Sequence, residues 1–290
     1  MKSEKWKTHI THHPLRTTCH GSPVTCDDIN INMLIDVNFL KDLTIESGKI
    51  ALTYYGMVKP CEKPDKTPVT EADLFLDKFI TDKIREKYPS HIILSEEMSE
   101  KAVAKTDHVI WAVDPVDGTA AFAGGLPVWG ISLGVLVNYI PLYGAFYMPV
   151  TDELFYSDGE HSYSGEQKLN ISHAVIDQNS FLAVPSYAHR AFDLRKFPGK
   201  TRSMGSIAAH MCYVAKNTAI GAIMRGHIWD IAAGWAICRT AGGKMAFMDK
   251  TDIDWQELCS CDKAKKEALL SGKDNFEYLF RIVTENNNKQ

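Results

Sequence analysis

The chain has 290 residues, a formal net charge of -4, and 45% hydrophobic against 23% charged residues. This composition is typical of a soluble globular protein, and no window reaches the roughly 18 apolar residues that a membrane span needs. The negative net charge and the lack of a long basic run argue against a nucleic-acid-binding surface. We therefore expect the partner to be a small molecule rather than a nucleic acid or a membrane.

Residues 1–28 show no sustained helical or alternating period, although they contain several histidines and cysteines among polar residues. Their spacing matches no standard zinc pattern, so we expect a flexible N-terminal extension. The chain has 7 cysteines. This is an odd number in a chain too large to depend on disulfides, which indicates reduced thiols and a cytoplasmic location. No secretory signal is recognisable, and an organelle transit segment stays an open alternative.

The first half of the chain beyond this extension, residues 29–165, predicts two helices followed by an antiparallel sheet. Apolar residues recur at helical spacing in two segments, 31–55 and 71–88. Short apolar runs then predict strands, at 91–94, 108–113, 129–138 and, as a hairpin, 139–156.

The second half, residues 166–290, changes character after a predicted loop at 158–165. Strand and helix signals alternate there, which is typical of an α/β layer. The strands are predicted at 181–184, 219–224 and 244–249, and the helices at 205–216 and 229–241. We expect the two halves to form one domain over residues 29–290.

The most informative segment is Asp114-Pro-Val-Asp117, which directly follows a predicted strand. Pro115 fixes its own φ and biases Asp114 toward an extended backbone, so we expect a sharp turn there. Both carboxylates and the Val116 carbonyl would then face one point, and such hard oxygens select Mg²⁺, Mn²⁺ or Ca²⁺ over zinc. The same letters also fit an ordinary Asp-Pro turn that closes a strand.

Further acidic residues occur in three other segments. Glu96 follows a predicted strand, Asp73 lies at the third position of a helix that Thr70 is placed to cap, and Asp230 begins another helix. A simpler interpretation exists for two of them. Asp73 would be favourable charge at a helix N-terminus, and Asp230 would be a plain N-cap.

In this order, the four segments resemble the inositol monophosphatase family, from about residue 32 to residue 285. The similarity includes Asp-Pro-Val-Asp-Gly-Thr at 114–119, Trp-Asp-x-Ala-Ala-Gly at 229–234 and Ala-Gly-Gly at 241–243. The resemblance implies an α/β (α+β) fold, the layered α/β/α/β/α sandwich of the inositol monophosphatase and fructose-1,6-bisphosphatase type. It also implies a phosphoric monoester hydrolase that is lithium-sensitive and forms a homodimer.

The same resemblance implies roles for particular residues. Two or three Mg²⁺ ions, with Mn²⁺ as a possible substitute, would be held by Glu96, Asp114, the Val116 carbonyl, Asp117 and Asp230, with Asp73 for a weaker third ion. The substrate would contact Gly118, Thr119, Gly205, Ser206 and Asp230. The catalytic residues would be Glu96, Thr119 and Asp73.

Charge alone makes metal obligatory, because a phosphate monoester and a pocket of carboxylates repel each other unless divalent cations neutralise both. We expect a Mg²⁺-activated water to attack the phosphorus in line. Glu96 and a hydrogen-bonded pair of Thr119 and Asp73 would hold this water. No covalent phosphoenzyme is needed.

Substrate choice is the point at which the chain departs from the family. Inositol-specific members carry a glutamate seven residues before the aspartate of Trp-Asp, and this chain has Ile223 there. An apolar residue cannot pair with polyol hydroxyls, which argues against efficient hydrolysis of inositol phosphate. Arg225 either meets a second phosphate or a carboxylate, or is a solvated arginine.

Other substrates therefore stay open. Ala120-Ala121-Phe122 stands where the family often has Thr-Asn-Phe, and this stretch is also similar to histidinol-phosphate phosphatases. The alternatives are histidinol phosphate, fructose 1,6-bisphosphate and 3'-phosphoadenosine 5'-phosphate. A different class of function is a silent metal-binding regulatory homologue, which loss of a ligand acid would favour.

Overall fold

The structure is a computed structural model, and it describes residues 35–63, 68–97, 109–172, 174–260 and 263–284. The extension predicted at residues 1–28 lies outside these described residues. No helix within the described ranges is both long enough and apolar enough to cross a bilayer. Of the four cysteines in these ranges, Cys61, Cys212 and Cys238 are free thiols, and Cys259 is buried.

The described part of the chain alternates between helices and strands. Its helices are α1 (Val37–Leu52), α2 (Glu71–Lys87), α3 (Thr119–Ala123), α4 (Ala188–Ala191), α5 (Ile207–Ala215), α6 (Ile228–Thr240), α7 (Trp255–Ser260) and α8 (Lys273–Thr284). Its strands are β1 (Cys61–Glu62), β2 (Pro68–Val69), β3 (Ile92–Ser95), β4 (Val109–Asp117), β5 (Gly130–Val137), β6 (Ile140–Met148), β7 (Glu153–Ser157), β8 (Ser162–Ser164), β9 (Gln167–Lys168), β10 (Phe181–Ala183), β11 (Lys200–Arg202), β12 (Gly221–Met224), β13 (Gly243–Phe247) and β14 (Ala268–Gly272).

The larger sheet contains β3 to β9, paired in chain order. Its neighbours are antiparallel except for β3 and β4, which are parallel. Both faces of the sheet are covered. On β6, Gly144 packs against Ala233 of α6, whereas Tyr147 packs against Gly48 of α1. Because these two β6 residues are three positions apart, they point to opposite faces, so α1 and α6 lie on opposite sides of the sheet.

Glycines let α6 lie unusually close to this sheet. A Cβ added to Gly134 would come 2.7 Å from the Cβ of Ala232, and one on Gly144 would come 2.6 Å from the Ala233 carbonyl oxygen. The hydroxyl of Ser132 also donates to the Trp229 carbonyl at 3.2 Å. These contacts fix the beginning of α6 beside the end of β4.

The smaller sheet has the strand order β11-β10-β12-β14-β13. β10 runs parallel to both β11 and β12, and β14 runs antiparallel to β12 and β13. Along β12, Ala222 and Met224 belong to the apolar core that includes residues of α5 and α6. Ile223 belongs instead to the core that includes Phe276 and Leu279 of α8. The helices α5 and α6 therefore lie between the two sheets, and α8 covers the outer face.

This arrangement confirms the predicted α/β/α/β/α sandwich. The predicted elements exist with shifted ends, as for the helix expected at 31–55, which begins at Val37 and ends at Leu52. The loop expected at 158–165 was wrong, because Ser162–Ser164 form β8 and pair with both β7 and β9. Three residues of mostly polar character are too few to produce an alternating pattern.

His210 lies on α5 in the interior, where its Nε2 accepts a hydrogen bond from the Met204 N–H at 3.1 Å. Burial lowers the pKa of His210 from its ordinary value of 6.5 to about 4. The folded state therefore binds fewer protons than the unfolded state between these two values. The contribution of His210 to stability is present above about pH 6.5 and is lost as the pH falls toward about 4.

We expect the free energy of unfolding to fall by about 2 kcal/mol between about pH 7 and about pH 5 through His210 alone. His210→Gln keeps an acceptor for the Met204 N–H but has no proton to gain, so its stability should depend less on pH. Urea unfolding of both proteins at these two pH values measures the difference. Equal pH dependence in the two proteins would reject the assignment.

Candidate active site

Asp114 and Asp117 both lie within β4, which continues to Asp117. They pair with Ser132 and Gly130 of β5, so β4 has one more residue than its partner between these points. Pro115 has no N–H to donate, and the strand bulges there. The predicted sharp turn was wrong, because a bulge within a continuous strand takes its place.

The carboxyl group of Asp114 is buried and accepts the Val116 N–H at 3.0 Å. Burial raises the pKa of Asp114 well above its ordinary value, and neighbouring carboxylates raise it further. These neighbours are Glu96, Asp117, Asp230 and Asp73. Because electrostatic effects weaken with distance, acids from four separate segments lie near one another here. We call these five residues, Asp73, Glu96, Asp114, Asp117 and Asp230, the acid cluster.

Asp117 is held by the beginning of α5. Its carboxylate accepts the Ser206 hydroxyl at 2.6 Å, the Ala208 N–H at 2.7 Å and the Ile207 N–H at 3.2 Å. Burial and the charge of Asp230 raise the pKa of Asp117 to about 7, although these hydrogen bonds lower it. The N-terminus of α5 thus already binds one negative group.

Gly118 links β4 to α3 in a left-handed conformation, with φ of 103°. A Cβ added there would come 3.3 Å from the Cβ atoms of Ser206 and Trp129. The same added Cβ would come 3.4 Å from the carbonyl oxygen of Gly205, which itself has a φ of 96°. Only glycine combines such a backbone with so close an approach, so Gly118 brings Thr119 next to the loop that begins α5.

The Thr119 hydroxyl lies 3.1 Å from Asp73 Oδ1 and 3.2 Å from the Val116 carbonyl oxygen. The other oxygen of Asp73 accepts the N–H of Thr70 at 2.8 Å and also the Thr70 hydroxyl. Thr70 is the N-cap of α2, as predicted. Burial raises the pKa of Asp73 above its ordinary value. The cap therefore orients Asp73 toward Thr119.

Asp230 is the third residue of α6, not its N-cap, which is His227. The simpler interpretation of Asp230 as a plain N-cap was therefore wrong. Its Oδ2 accepts the His227 N–H at 2.7 Å and lies 3.3 Å from the His227 ring. The ring of His227 in turn stacks on Trp229, with centroids 4.6 Å apart. Asp230 is thus fixed at the edge of the acid cluster.

Glu96 follows β3 and forms an ion pair that the sequence did not predict. Lys63 Nζ lies 2.8 Å from Glu96 Oε1 and 2.5 Å from Glu97 Oε1. Burial lowers the pKa of Lys63, but hydrogen bonds to both glutamates raise it above its ordinary value. Burial raises the pKa of Glu96, and for Glu97 it gives a value of about 7. No local pattern marks Lys63, because it is one lysine in a segment rich in Lys, Pro and Thr.

A second contact that the sequence analysis did not predict, a hydrogen bond between two side chains, holds the end of β3. The Ser95 hydroxyl donates to Asp77, which lies one turn after Asp73 on α2. Burial raises the pKa of Asp77. The spacing of four residues between the two aspartates is the signal that would have placed both on one helix face.

Each acid in the cluster is bonded to a protein donor. Among the described residues, no group of three or more His, Cys, Asp and Glu side chains is arranged to hold a metal ion as it stands. The chemistry of the donors nevertheless fits a hard divalent cation, since the cluster offers carboxylates and the Val116 carbonyl. Lys63 already neutralises one side of the cluster, as an added cation would.

Ile223 and Arg225, the two positions expected to influence substrate choice, lie in different environments. Ile223 is fully buried within β12. Arg225 donates from Nε to the Ala264 carbonyl at 2.8 Å, and its side chain is 39% exposed. One backbone hydrogen bond therefore fixes part of the guanidinium, while the side chain keeps the partial exposure expected of a solvated arginine.

The profile of the inositol monophosphatase family matches residues 33–283. The chain belongs to the inositol monophosphatase family. An IMPase of Thermotoga maritima has a TM-score of 0.74 at 25% identity, covering 86% of this chain and 96% of that chain. Inositol monophosphatase 1 of Solanum lycopersicum is 30% identical over 229 residues, which are 73% of this chain and 84% of that protein. Histidinol-phosphatase of Chlorobaculum parvum is 26% identical over 260 residues, which are 84% of this chain and 99% of that protein.

Members of the inositol monophosphatase family hydrolyse phosphate monoesters, and this chain is a phosphatase of that class. The match spans both sheets of the fold and therefore includes every residue of the acid cluster. The relatives of the chain are named for different substrates, so family membership alone leaves the choice of substrate open.

Proposed function

We propose that this phosphatase depends on Mg²⁺, with two or three ions bound at the acid cluster and Mn²⁺ able to replace them. Glu96, Asp114, the Val116 carbonyl, Asp117 and Asp230 would be the ligands, with Asp73 for a weaker third ion. The supporting observation is that burial and the neighbouring carboxylates of the cluster both raise the pKa of Asp114. Buried like charges need cations to become compatible with an anionic substrate. The family is generally Mg²⁺-dependent.

When bound, Mg²⁺ supplies positive charge that neutralises the phosphate and lowers the pKa of water. Thr119 donates its proton to Asp73 Oδ1, so its hydroxyl oxygen is free to accept a proton from the attacking water. Asp73 is held by the N–H of Thr70, so its other oxygen stays in place to accept the Thr119 proton. Glu96 would provide a second acceptor for this water.

The phosphate is proposed to bind between Gly118-Thr119 and the loop of Gly205 and Ser206. The N–H groups of Ile207 and Ala208 that begin α5 donate to Asp117, so they would act on the phosphate through the cation that Asp117 holds. Ser206 contributes by holding Asp117 through its hydroxyl. Asp230 would accept a hydrogen bond from the part of the substrate that leaves, since it lies at the edge of the cluster.

Lys63 would compete with Mg²⁺ for Glu96, because its Nζ already pairs with that carboxylate at 2.8 Å. We expect Lys63→Met to bind Mg²⁺ about threefold to tenfold more tightly, since the internal competitor is gone. Isothermal titration calorimetry measures this affinity, and Lys59→Met, from the same segment, is the matched control. Unchanged or weaker Mg²⁺ binding by Lys63→Met would show that the two cations do not compete.

We also propose a cytoplasmic, lithium-sensitive homodimer. The free thiols of Cys61, Cys212 and Cys238 suit a reducing compartment. Lithium sensitivity and the dimer rest on the family resemblance. One inhibition curve with LiCl and one light-scattering measurement of molar mass test them, and insensitivity or a monomer would remove these proposals.

The test of the proposed function is turnover of a panel of phosphate monoesters with Mg²⁺ and with a chelator. The panel contains inositol 1-phosphate, histidinol phosphate, fructose 1,6-bisphosphate, 3'-phosphoadenosine 5'-phosphate and p-nitrophenyl phosphate. We expect turnover that Mg²⁺ restores and the chelator abolishes, with inositol 1-phosphate a poor substrate because Ile223 is buried. Activity on none of these compounds would contradict the proposal and favour a silent regulatory role.

A further inference from the structure

Arg225 lies at the edge where several strands of the smaller sheet end. β11, β10 and β12 run parallel, so their carboxyl ends meet at one edge. The loop to α5 follows β11, Tyr187 follows β10, and Arg225 directly follows β12. Ligands of sheets with parallel strands commonly bind outside this edge. The next residue, Gly226, is in contact with the acid cluster, since a Cβ added to it would come 2.5 Å from Asp230 Oδ2.

Ile223 cannot reach a substrate at this edge. Its side chain is fully buried and belongs to the core beneath α8. Three polar side chains lie beside the end of β12: Arg225 follows this strand, Glu267 precedes its partner strand β14, and Tyr187 is their neighbour. Burial and the charge of Glu267 raise the pKa of Tyr187, whereas the charge of Arg225 lowers it, so these three side chains lie together.

The guanidinium of Arg225 is anchored but not saturated. Its Nε–H donates to the Ala264 carbonyl at 2.8 Å, which fixes the plane of the group. Its Nη1 lies 3.9 Å from Glu267 Oε1, which is beyond hydrogen-bond distance. Both side chains are partly exposed, and ion pairs of this kind are weak. A planar guanidinium held in this way is suited to a carboxylate or a phosphate.

We propose that Arg225 binds a second anionic group, a carboxylate or a phosphate, on the leaving part of the substrate. This inference rests on the proposed phosphatase function, because the phosphate proposed to bind beside Gly118-Thr119 sets where the leaving part extends. Arg225 would then determine substrate specificity. The buried, apolar Ile223 cannot form hydrogen bonds with substrate hydroxyl groups.

Matched substrates that differ only in the second anion test this role. The pairs are 3-phosphoglycerate against glycerol 3-phosphate, and fructose 1,6-bisphosphate against fructose 1-phosphate. For at least one pair we expect kcat/KM to be at least about tenfold higher for the member with the extra anion. Arg225→Gln should remove this preference by raising KM for that member and leave its partner within about twofold. Arg225→Lys should keep part of the preference.

Arg195→Gln is the control, because Arg195 is an exposed arginine paired with Asp193. The inference is overturned if wild type shows no preference in either pair, or if Arg225→Gln weakens both members of a pair equally. A preference for histidinol phosphate over the anionic substrates would also overturn it and point to Glu267 as the partner of a cationic leaving group.

The proposed function is tested separately by Mg²⁺-dependent turnover of p-nitrophenyl phosphate, which has no second anion. Turnover of this compound without any anion preference means that the inference alone fails. If no compound is turned over, calorimetry with 3-phosphoglycerate and glycerol 3-phosphate in the presence of Mg²⁺ still tests whether Arg225 binds a second anion. We then expect the former to bind at least about tenfold more tightly to wild type but not to Arg225→Gln, and equal binding to wild type overturns the inference.

Discussion

Asp114→Asn is expected to abolish Mg²⁺-dependent turnover, by at least about a thousandfold in kcat/KM, while the protein stays folded. The amide has the shape of the carboxyl group but no charge with which to hold a cation. Burial and, after it, the other acids disfavour a charge on Asp114 without metal and raise its pKa, so a neutral amide of the same shape should be tolerated there. Stability without metal should therefore be unchanged or higher.

Three measurements check this variant: turnover, far-ultraviolet circular dichroism and urea unfolding without metal. Asp82→Asn is the matched control, because Asp82 is an exposed aspartate on α2 that pairs with Lys78. It should keep full activity. Undiminished Mg²⁺-dependent turnover by Asp114→Asn would reject the metal site, whereas loss of the fold would reject the claim that a neutral amide is tolerated at this position.

Thr119→Ala is expected to lower kcat by about 10²- to 10⁴-fold, the range for removal of a group that positions or accepts a proton. The variant loses the hydroxyl that lies between Asp73 Oδ1 and the Val116 carbonyl oxygen. Thr119→Ser keeps that hydroxyl and should recover most of the activity.

The decisive comparison is between these two variants, since a purely structural effect would not follow the hydroxyl. Calorimetry should find similar Mg²⁺ affinity in both, because the hydroxyl is not a proposed ligand. Equal activity of Thr119→Ala and Thr119→Ser would contradict a proton-accepting role, and a large loss of Mg²⁺ affinity in Thr119→Ala would assign Thr119 to the metal site instead.

Local sequence patterns predicted most of the structural features that depend on a single segment of the chain. Thr70 caps α2 as expected, and the helical period correctly placed Asp73 in its first turn. Both follow from rules that act over a few residues. The same is true of the layered fold, because the order of helix and strand signals restricts how the layers can pack.

Features that depend on packing between distant segments could not be predicted in this way. Lys63 meets Glu96 across 33 positions of sequence, and neither residue type nor spacing marks that contact. The bulge at Pro115 depends on the register with β5, which only the folded sheet fixes. The backbone hydrogen bond that anchors Arg225 comes from Ala264, on a separate segment.

The metal ions that the acid cluster is proposed to bind can be located directly by crystallography. Crystals grown with saturating Mn²⁺ and measured at the manganese absorption edge would locate the ions by anomalous scattering. We predict peaks within coordination distance of the carboxylates of Asp114 and Asp117, with Lys63 moved away from Glu96. Peaks elsewhere on the surface, or no peak between these aspartates, would contradict the claim that the cluster exists to bind divalent cations.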